Sequence, residues 1–320
     1  MAAELGKLWD GVQYHAGLWS LHLRSSLLWH SGKPSIPAKD FIAPSWSWAS
    51  VGTPVQWFDA DDFDGLAEVL QVDVTLVSHE NPFGPVTKGT IRLNGPMCQA
   101  RLVKTKYTEI LCFNQDTEDT VSNPDMPEAD GANSDSGFCT MVLLDHLPWS
   151  EQEMASDTEL GITVYVAPLQ TDIDLKLTYS GLLRLGGLLL VPTNSSPGQF
   201  RRIGHFFIQD QWGMEGRRAY EERIAKMRKE GKIQQKDEKL PGFADREEWL
   251  KKDPFGNGVI TKTLRSRYTS AVNLGYAGEI SRFLDYIDRC AEERRKLGVT
   301  DPNLGEEDVE ARGWHRCEIV

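Results

Sequence analysis

A short segment with two tryptophans constrains the fold of this 320-residue chain more than any other feature. It reads Ala43-Pro-Ser-Trp-Ser-Trp-Ala-Ser50, with small residues between and after Trp46 and Trp48. Side chains of a β-strand alternate between its two faces, so in a strand both indole rings would point to one side. Two such large aromatics cover a wide patch of core. The pattern therefore predicts a strand in which both tryptophans are buried, and nothing in it predicts a chemical reaction.

β-strand patterns dominate the middle of the chain. Apolar and polar residues alternate from Leu70 to Leu76, and four further apolar runs are separated by turn residues. These runs are Phe138–Leu144, Ile162–Leu169, Leu183–Val191 and Phe200–Ile208. Short strands without helices between them favour an antiparallel β-sandwich or a barrel-like core over a parallel sheet. We therefore predict a fold that is mainly β with helical additions (α+β).

Helical patterns flank this region. Residues 4–30 carry apolar residues at helical spacing, among them Leu18, Leu21 and Leu28, and predict short N-terminal helices. Near the other end, an apolar stripe from Ile280 to Ala291 predicts a longer helix packed on the rest of the protein. Together with a densely charged stretch that begins at Glu215, this stripe predicts a helical C-terminal extension.

The chain is accordingly expected to consist of three parts. They are an N-terminal helical segment packed on the core (1–40), a β-rich core domain (41–210) and a charged helical extension (211–320), whose residues 316–320 return to the core as a strand. Residues 114–137 and 228–241 carry too little apolar surface to offset the entropy lost on ordering. We expect these two segments to be mobile.

Charge and cysteine usage restrict the partners and the compartment. The formal net charge of −12 argues against nucleic-acid binding, which requires a concentrated positive field. No apolar run approaches the length of a membrane-spanning helix. The five cysteines are widely scattered and contain no Cys-x-x-Cys pair, a pattern typical of reduced thiols in an intracellular protein. We predict a cytoplasmic protein.

Familiar catalytic and metal-binding motifs are missing from the sequence. It has no Gly-x-Ser-x-Gly elbow, His-Glu-x-x-His motif, Walker loop or Gly-x-Gly-x-x-Gly fingerprint, and its seven histidines lack paired metal-ligand spacing. The acidic stretch Asp59–Gly65 fails the calcium-loop template, because Ala60 and Gln71 occupy the first and twelfth positions. We predict no cofactor, no metal and no enzymatic activity.

Several short motifs, taken in order, resemble those of the fungal heterokaryon-incompatibility (HET) domain proteins. They are Tyr14-His-Ala-Gly-Leu-Trp19, Leu27-Leu-Trp29, Ala43–Ser50 and Phe200-Arg-Arg-Ile-Gly204. The match lies in the region that follows the HET domain. The residues that carry this structural signature are Gly17, Leu18, Trp19, Leu28, Trp29, Pro44, Ser45, Trp46, Ser47, Trp48, Ala49, Ser50, Arg202 and Gly204.

The resemblance also implies what this chain lacks. In full-length relatives a HET domain, a TIR-like α/β module that triggers cell death, precedes the Ala-Gly-Leu-Trp motif. Only about a dozen residues precede that motif here, so we expect the downstream region without the effector. The resemblance implies a non-enzymatic recognition or regulatory module for fungal allorecognition, with a protein partner such as a HET-domain chain.

Two alternatives stay open at this point. One is a β-sandwich that binds a small ligand, or an enzyme whose site is not contiguous in sequence. The other is a truncated fragment without independent function. Surface recognition is predicted for Trp57, which lies beside an acidic stretch, and for Arg201. Because Arg201 and Arg202 alternate in a strand, at most one of them should face the core.

Overall fold

The structure is a computed structural model. It describes residues 11–21, 23–36, 38, 40–57, 62–104, 109–113, 140–149, 160–174, 182–211, 279–298, 301–304, 307 and 314–320. The two segments expected to be mobile, 114–137 and 228–241, lie outside the described residues, as does the start of the predicted N-terminal helical region.

Short elements form the N-terminal segment. They are β1 (Tyr14–His15), β2 (Leu18–Trp19), α1 (Leu23–Ser26), β3 (Trp29–Ser31), a 3₁₀ helix (Trp48–Ser50) and β4 (Val55–Trp57). Longer strands follow: β5 (Asp62–Gly65), β6 (Glu68–Leu76), β7 (Val86–Pro96), β8 (Cys98–Lys104), β9 (Glu109–Cys112), β10 (Thr140–Leu144), β11 (Leu160–Asp174), β12 (Leu182–Pro192) and β13 (Gln199–Gln211). The last elements described are α2 (Glu279–Leu297) and β14 (Trp314–Ile319).

Ten of the described strands form one large sheet, which confirms the mainly β class. Its order is β6-β7-β14-β13-β12-β11-β8-β9, with β10 paired to β13 and β5 paired to β11. All pairs are antiparallel except β13 with β14, which is parallel. The sheet is therefore mixed, because β14 reaches its place through a long connection and not through a hairpin.

The sheet has a hydrophobic core on each face. Along β11, Tyr165 and Ala167 belong to one core, while Val164 and Val166 belong to the other. The N-terminal segment covers the first core, and α2 covers the second with Ile280, Phe283 and Ile287. Strands that are buried on both faces read as continuous apolar runs, which explains the sequence of β11 and β12.

The described part of the N-terminal segment is less helical than predicted. Within residues 11–31 the only α-helix described is the single turn α1, and β1 and β2 form a two-residue antiparallel ladder. The turn between them places Ala16 at φ 43° and Gly17 at φ 107°. These left-handed backbone angles end any right-handed helix, so the helical spacing of Leu18 and Leu28 was misleading.

The prediction that Trp46 and Trp48 share one face of a strand is wrong. Trp46 is fully buried, but Trp48 is 37 % exposed and begins the 3₁₀ helix. The Ser47 side chain caps this helix by accepting a hydrogen bond from the backbone N–H of Ala49 at 3.1 Å. In this helical turn, side chains two residues apart do not share a face as they would in a strand. The indole N–H of Trp48 donates to the Gly17 carbonyl at 2.6 Å.

The described C-terminal elements agree with their sequence patterns, whereas the charged stretch that begins at Glu215 lies outside the described residues. The apolar stripe Ile280–Ala291 lies within α2, and its main apolar residues are buried against the sheet. β14 lies between β7 and β13, in the region for which the sequence predicts a returning strand. No helix among the described residues combines the length and the apolar character needed to cross a membrane.

Candidate functional site

A buried ion pair joins the N-terminal segment to the sheet. On β13 the Arg201 side chain is exposed and the Arg202 side chain is fully buried, which confirms that only one of them faces the core. Asp145 directly follows β10, the strand paired with this half of β13. Arg202 Nη2 lies 2.8 Å from Asp145 Oδ2, and neither side chain is exposed to solvent.

All three nitrogens of the Arg202 guanidinium donate hydrogen bonds inside the protein. Nε donates to Asp145 Oδ2 at 2.9 Å, while Nη1 and Nη2 donate to the carbonyl oxygens of Leu27 and Trp29. The guanidinium carbon also lies 3.7 Å from the centre of the Trp29 ring, a cation–π contact. Burial lowers the pKa of Arg202 and Asp145 opposes this shift, so the arginine stays charged. Each guanidinium nitrogen therefore has an acceptor inside the protein, and the side chain is fully buried.

Asp145 also binds the N-terminal segment, through its Oδ1 and its backbone carbonyl. Its Oδ1 accepts a hydrogen bond from the backbone N–H of Ser31 at 3.0 Å, and its carbonyl accepts one from the N–H of Ser35 at 2.8 Å. Both carboxylate oxygens are therefore used within the protein. Because Ser31 belongs to β3, its bond to Asp145 holds β3 on the sheet. Loss of either partner of the ion pair would leave a buried charge unpaired, which destabilises a protein strongly.

Two buried tryptophans complete the junction. The indole N–H of Trp29 donates to the Trp46 carbonyl at 2.9 Å, and both rings are fully buried. Trp46 also lies over Gly89 of β7, where a Cβ atom would stand 2.4 Å from Pro44 Cγ and 3.1 Å from Trp46 Cζ2. A glycine is needed there because any side chain would push the tryptophan segment off the sheet.

Ser45 ties three distant parts of the chain together. Its hydroxyl accepts the backbone N–H of Arg202 at 3.0 Å and donates to the carbonyl of Val320. Its own backbone N–H donates to the same carbonyl at 3.1 Å. We refer to the residues of this junction, Trp29, Ser31, Ser45, Trp46, Asp145 and Arg202, as the Arg202 cluster.

Three neutral histidines surround the Arg202 cluster. Burial lowers the pKa of His30 and His146, and Asp145 partly opposes the shift in both. Burial lowers the pKa of His205 well below 6.5, and the positive charge of Arg202 lowers it further. The His30 and His205 rings lie 5.7 Å apart. All three are uncharged at neutral pH, because a further cation beside Arg202 would be unfavourable.

One of these histidines lies between two serine hydroxyls. His146 Nδ1 is 3.1 Å from Ser35 Oγ, and His146 Nε2 is 3.5 Å from Ser50 Oγ. Ser35 and Ser50 are half-buried, whereas the imidazole is 6 % exposed. At these three residues a base and two hydroxyl groups lie close together near the surface.

The structure brings four residues of the sequence signature into this junction. Trp29, Ser45, Trp46 and Arg202 belong to the Arg202 cluster, while Ser47 donates to the Ala16 carbonyl beside Gly17. The remaining members pack around it: Leu18 is buried in the same core, Leu28 lies against Gly186, Pro44 against Gly89, and Gly204 opposite Leu144. Ala49 and Ser50 lie in the 3₁₀ helix after Trp48, and Trp19 stacks with Tyr14 and Phe83 away from the ion pair.

The two residues predicted for surface recognition both lie at the surface. Trp57 is 47 % exposed, and its indole N–H donates to the Ser26 carbonyl at 3.2 Å, which fixes the ring orientation. Arg201 is exposed on β13, and its positive charge contributes to the low pKa of His146. Their role in recognition stays a prediction.

Sequence reasoning missed Asp145 and the histidines. Asp145 and His146 form a dipeptide directly after an apolar strand and belong to none of the motifs considered above. A buried arginine on a core-facing strand position requires a carboxylate, so the search could have started from Arg202. Within the described residues, no group of three or more His, Cys, Asp or Glu side chains could hold a metal ion.

Comparisons with known proteins identified no relative. No protein-family model matches this chain, and searches of curated proteins and of solved structures returned no match.

Proposed function

We propose that this chain is a non-enzymatic recognition or regulatory module of the heterokaryon-incompatibility type, which acts in the cytoplasm by binding a protein partner. Its expected partner is a HET-domain chain. The motifs that resemble the family supply Trp29, Ser45, Trp46 and Arg202 of the Arg202 cluster, which holds the N-terminal segment on the sheet. This concentration of signature residues in a packing junction supports a scaffold role.

The hydrogen bonds of the Arg202 cluster support a structural role for the buried Arg202 side chain. Arg202 donates from Nε, Nη1 and Nη2 to acceptors of this chain, and Asp145 uses both carboxylate oxygens. A site that recognises an anion keeps a donor directed at the ligand. The exposed neighbours Arg201 and Trp57 remain available to a partner.

A binding measurement tests the proposal. The purified chain is titrated with a purified HET-domain chain, and the dissociation constant is measured by calorimetry for the wild type and for Trp57→Ala and Arg201→Ala. We expect binding in the wild type and at least about tenfold weaker binding in one variant, since an anchoring aromatic or arginine contributes 2 kcal/mol or more. Phe41→Ala and Lys88→Ala serve as matched controls, because these side chains are also exposed. Absence of binding by the wild type contradicts the proposed partner.

An activity measurement separates this module from the effector. We expect the purified chain to leave NAD intact and its expression alone not to kill fungal cells, because the resemblance covers only the region after the HET domain. NAD turnover that a single substitution abolishes would overturn the non-enzymatic proposal. It would favour the rival proposal, an enzyme or small-ligand-binding protein whose site is assembled by the fold.

A further inference from the structure

The geometry around His146 assigns a tautomer to its imidazole. Ser35 Oγ donates its single proton to the carbonyl oxygen of Asp145 at 3.1 Å. In this arrangement the hydroxyl accepts from His146 Nδ1, which lies 3.1 Å away, and the proposal below uses the tautomer in which Nδ1 carries the ring proton. Nε2 of the neutral ring then has its lone pair free and directed to Ser50 Oγ at 3.5 Å.

Ser50 is held so that its proton can be redirected to this lone pair. Its hydroxyl donates to the Ser47 carbonyl at 2.7 Å in the resting state. Rotation about the Cβ–Oγ bond turns the proton towards His146 Nε2 without moving the oxygen. The distance of 3.5 Å is long for a hydrogen bond, but contacts of this kind commonly shorten when a substrate binds.

We propose that Ser50 is a nucleophilic serine, with His146 as its general base and Ser35 as the residue that positions the imidazole, and that it reacts with small carboxylic esters. Ser50 Oγ attacks the ester carbonyl carbon, a new Oγ–C bond forms, and the bond to the alkoxy oxygen breaks. The proton of Ser50 passes to His146 Nε2 and from there to the departing alkoxide. Atoms and charges balance without a further reactant.

Two exposed apolar residues lie close to the serines in the chain, which favours an uncharged ester with a small apolar group. Ile36, next to Ser35, is 59 % exposed, and Trp48, two residues before Ser50, is 37 % exposed. Both offer apolar surface near the hydroxyls in the chain. The positive charge of Arg201, on the exposed side of β13, contributes to the low pKa of His146 and so helps to keep the proposed base neutral.

The proposal goes beyond the recognition role proposed above and departs from its non-enzymatic part, while the partner binding proposed there is unaffected because it requires no nucleophile. The sequence alone gives no signal for it, since His146 is 96 residues from Ser50 and 111 from Ser35. The three meet because the chain around Ser35 pairs with His146 beside β13: the N–H of Leu147 donates to the Ser35 carbonyl at 2.9 Å.

A covalent probe tests the proposal on the full chain. An alkyl fluorophosphonate mimics the ester and leaves a stable adduct: Ser50 Oγ bonds to phosphorus, fluoride leaves, and His146 takes the proton. Intact-mass spectrometry and peptide mapping then locate the adduct. We expect one adduct, on Ser50, that is absent when the protein is denatured. An unlabelled native protein, or an adduct confined to other residues, overturns the proposal.

Substitutions separate a base from a merely structural histidine. His146→Asn keeps a donor in the place of Nδ1–H for Ser35 but removes the base, and should slow labelling of Ser50 by about 100-fold or more. Ser35→Ala should slow it less, and Ser195→Ala, an exposed serine, should leave it unchanged. In the wild type, the rate should fall with decreasing pH as His146 becomes protonated, with a midpoint below 6.5 because burial lowers its pKa. Equal labelling of the wild type and His146→Asn, or a rate independent of pH, overturns the role of His146.

Discussion

Arg202 and Asp145, 57 residues apart in the chain, form an ion pair whose side chains are both completely buried, with Nη2 and Oδ2 2.8 Å apart. The same two side chains bind backbone groups of Leu27, Trp29 and Ser31, so the pair connects the N-terminal segment to β13. Its energetic importance lies in what remains when one partner is lost. An isolated buried charge is far less favourable than either the pair or an apolar replacement of both partners.

The first prediction concerns this pair. Arg202→Met should lower the free energy of unfolding by about 3–5 kcal/mol, because it leaves the Asp145 carboxylate buried without its cation. Urea unfolding followed by tryptophan fluorescence measures the loss. Arg201→Met is the matched control, since that neighbouring arginine is exposed. The double variant Arg202→Met/Asp145→Leu should recover part of the loss, and a double variant less stable than Arg202→Met would contradict this account.

The second prediction separates the two tryptophans of the signature. Trp46→Ala should cost about 3–5 kcal/mol, since it removes a fully buried ring and leaves a cavity over Gly89. Trp48→Ala should cost clearly less, because that ring is 37 % exposed and water replaces part of its contacts. The denaturant midpoints of the two variants show which substitution costs more stability, provided that the unfolding free energy depends equally on denaturant concentration in both. Equal midpoints would show that Trp48 belongs to the core after all.

The third prediction concerns the turn that Trp48 contacts. Gly17 has φ 107°, and a Cβ atom there would lie 2.8 Å from Trp48 Nε1. Gly17→Ala should therefore destabilise the protein by about 1–3 kcal/mol through backbone strain and steric conflict. Gly32→Ala is the control, because no atom of the described residues lies within 4 Å of its hypothetical Cβ. If Gly17→Ala leaves the thermal-unfolding midpoint unchanged, the expected strain of a side chain at this position is refuted.

The fourth prediction is a loss of stability in acid. The pKa values of His30, His146 and His205 are lowered in the folded protein, mainly by burial, and burial lowers the pKa of His15 to about 4. Below the unfolded value near 6.5, the unfolded chain thus binds more protons than the folded one. Stability is therefore complete above about pH 6.5 and decreases as the pH falls towards the folded pKa values.

The measurement is the urea midpoint between pH 7.5 and 5.0. His205→Leu should make the urea midpoint depend less steeply on pH in this range, because it removes a buried group that must stay neutral beside Arg202 and Arg184. His79→Gln is the control, since His79 is exposed on the surface. If wild type and His205→Leu lose stability in parallel, His205 is not a source of the acid sensitivity.

Local sequence patterns determined the class of the fold. The alternation in β6 and the apolar runs of β11, β12 and β13 predict strands because side-chain periodicity is a property of neighbouring residues. The stripe from Ile280 to Ala291 predicts α2 for the same reason. The motifs behind the resemblance contain Trp29, Trp46 and Arg202, which the structure places in one junction.

Only the tertiary structure decided what these residues contact. The pairing of β10 with β13 brings Asp145 to Arg202 and places His146 between Ser35 and Ser50. No local periodicity encodes such a meeting, since it depends on which strands become neighbours in the sheet. Trp48 shows the same limit in a single residue. Its two-residue spacing from Trp46 predicts a buried ring, but the Ser47 cap and the Gly17 carbonyl stabilise a helical turn that exposes it.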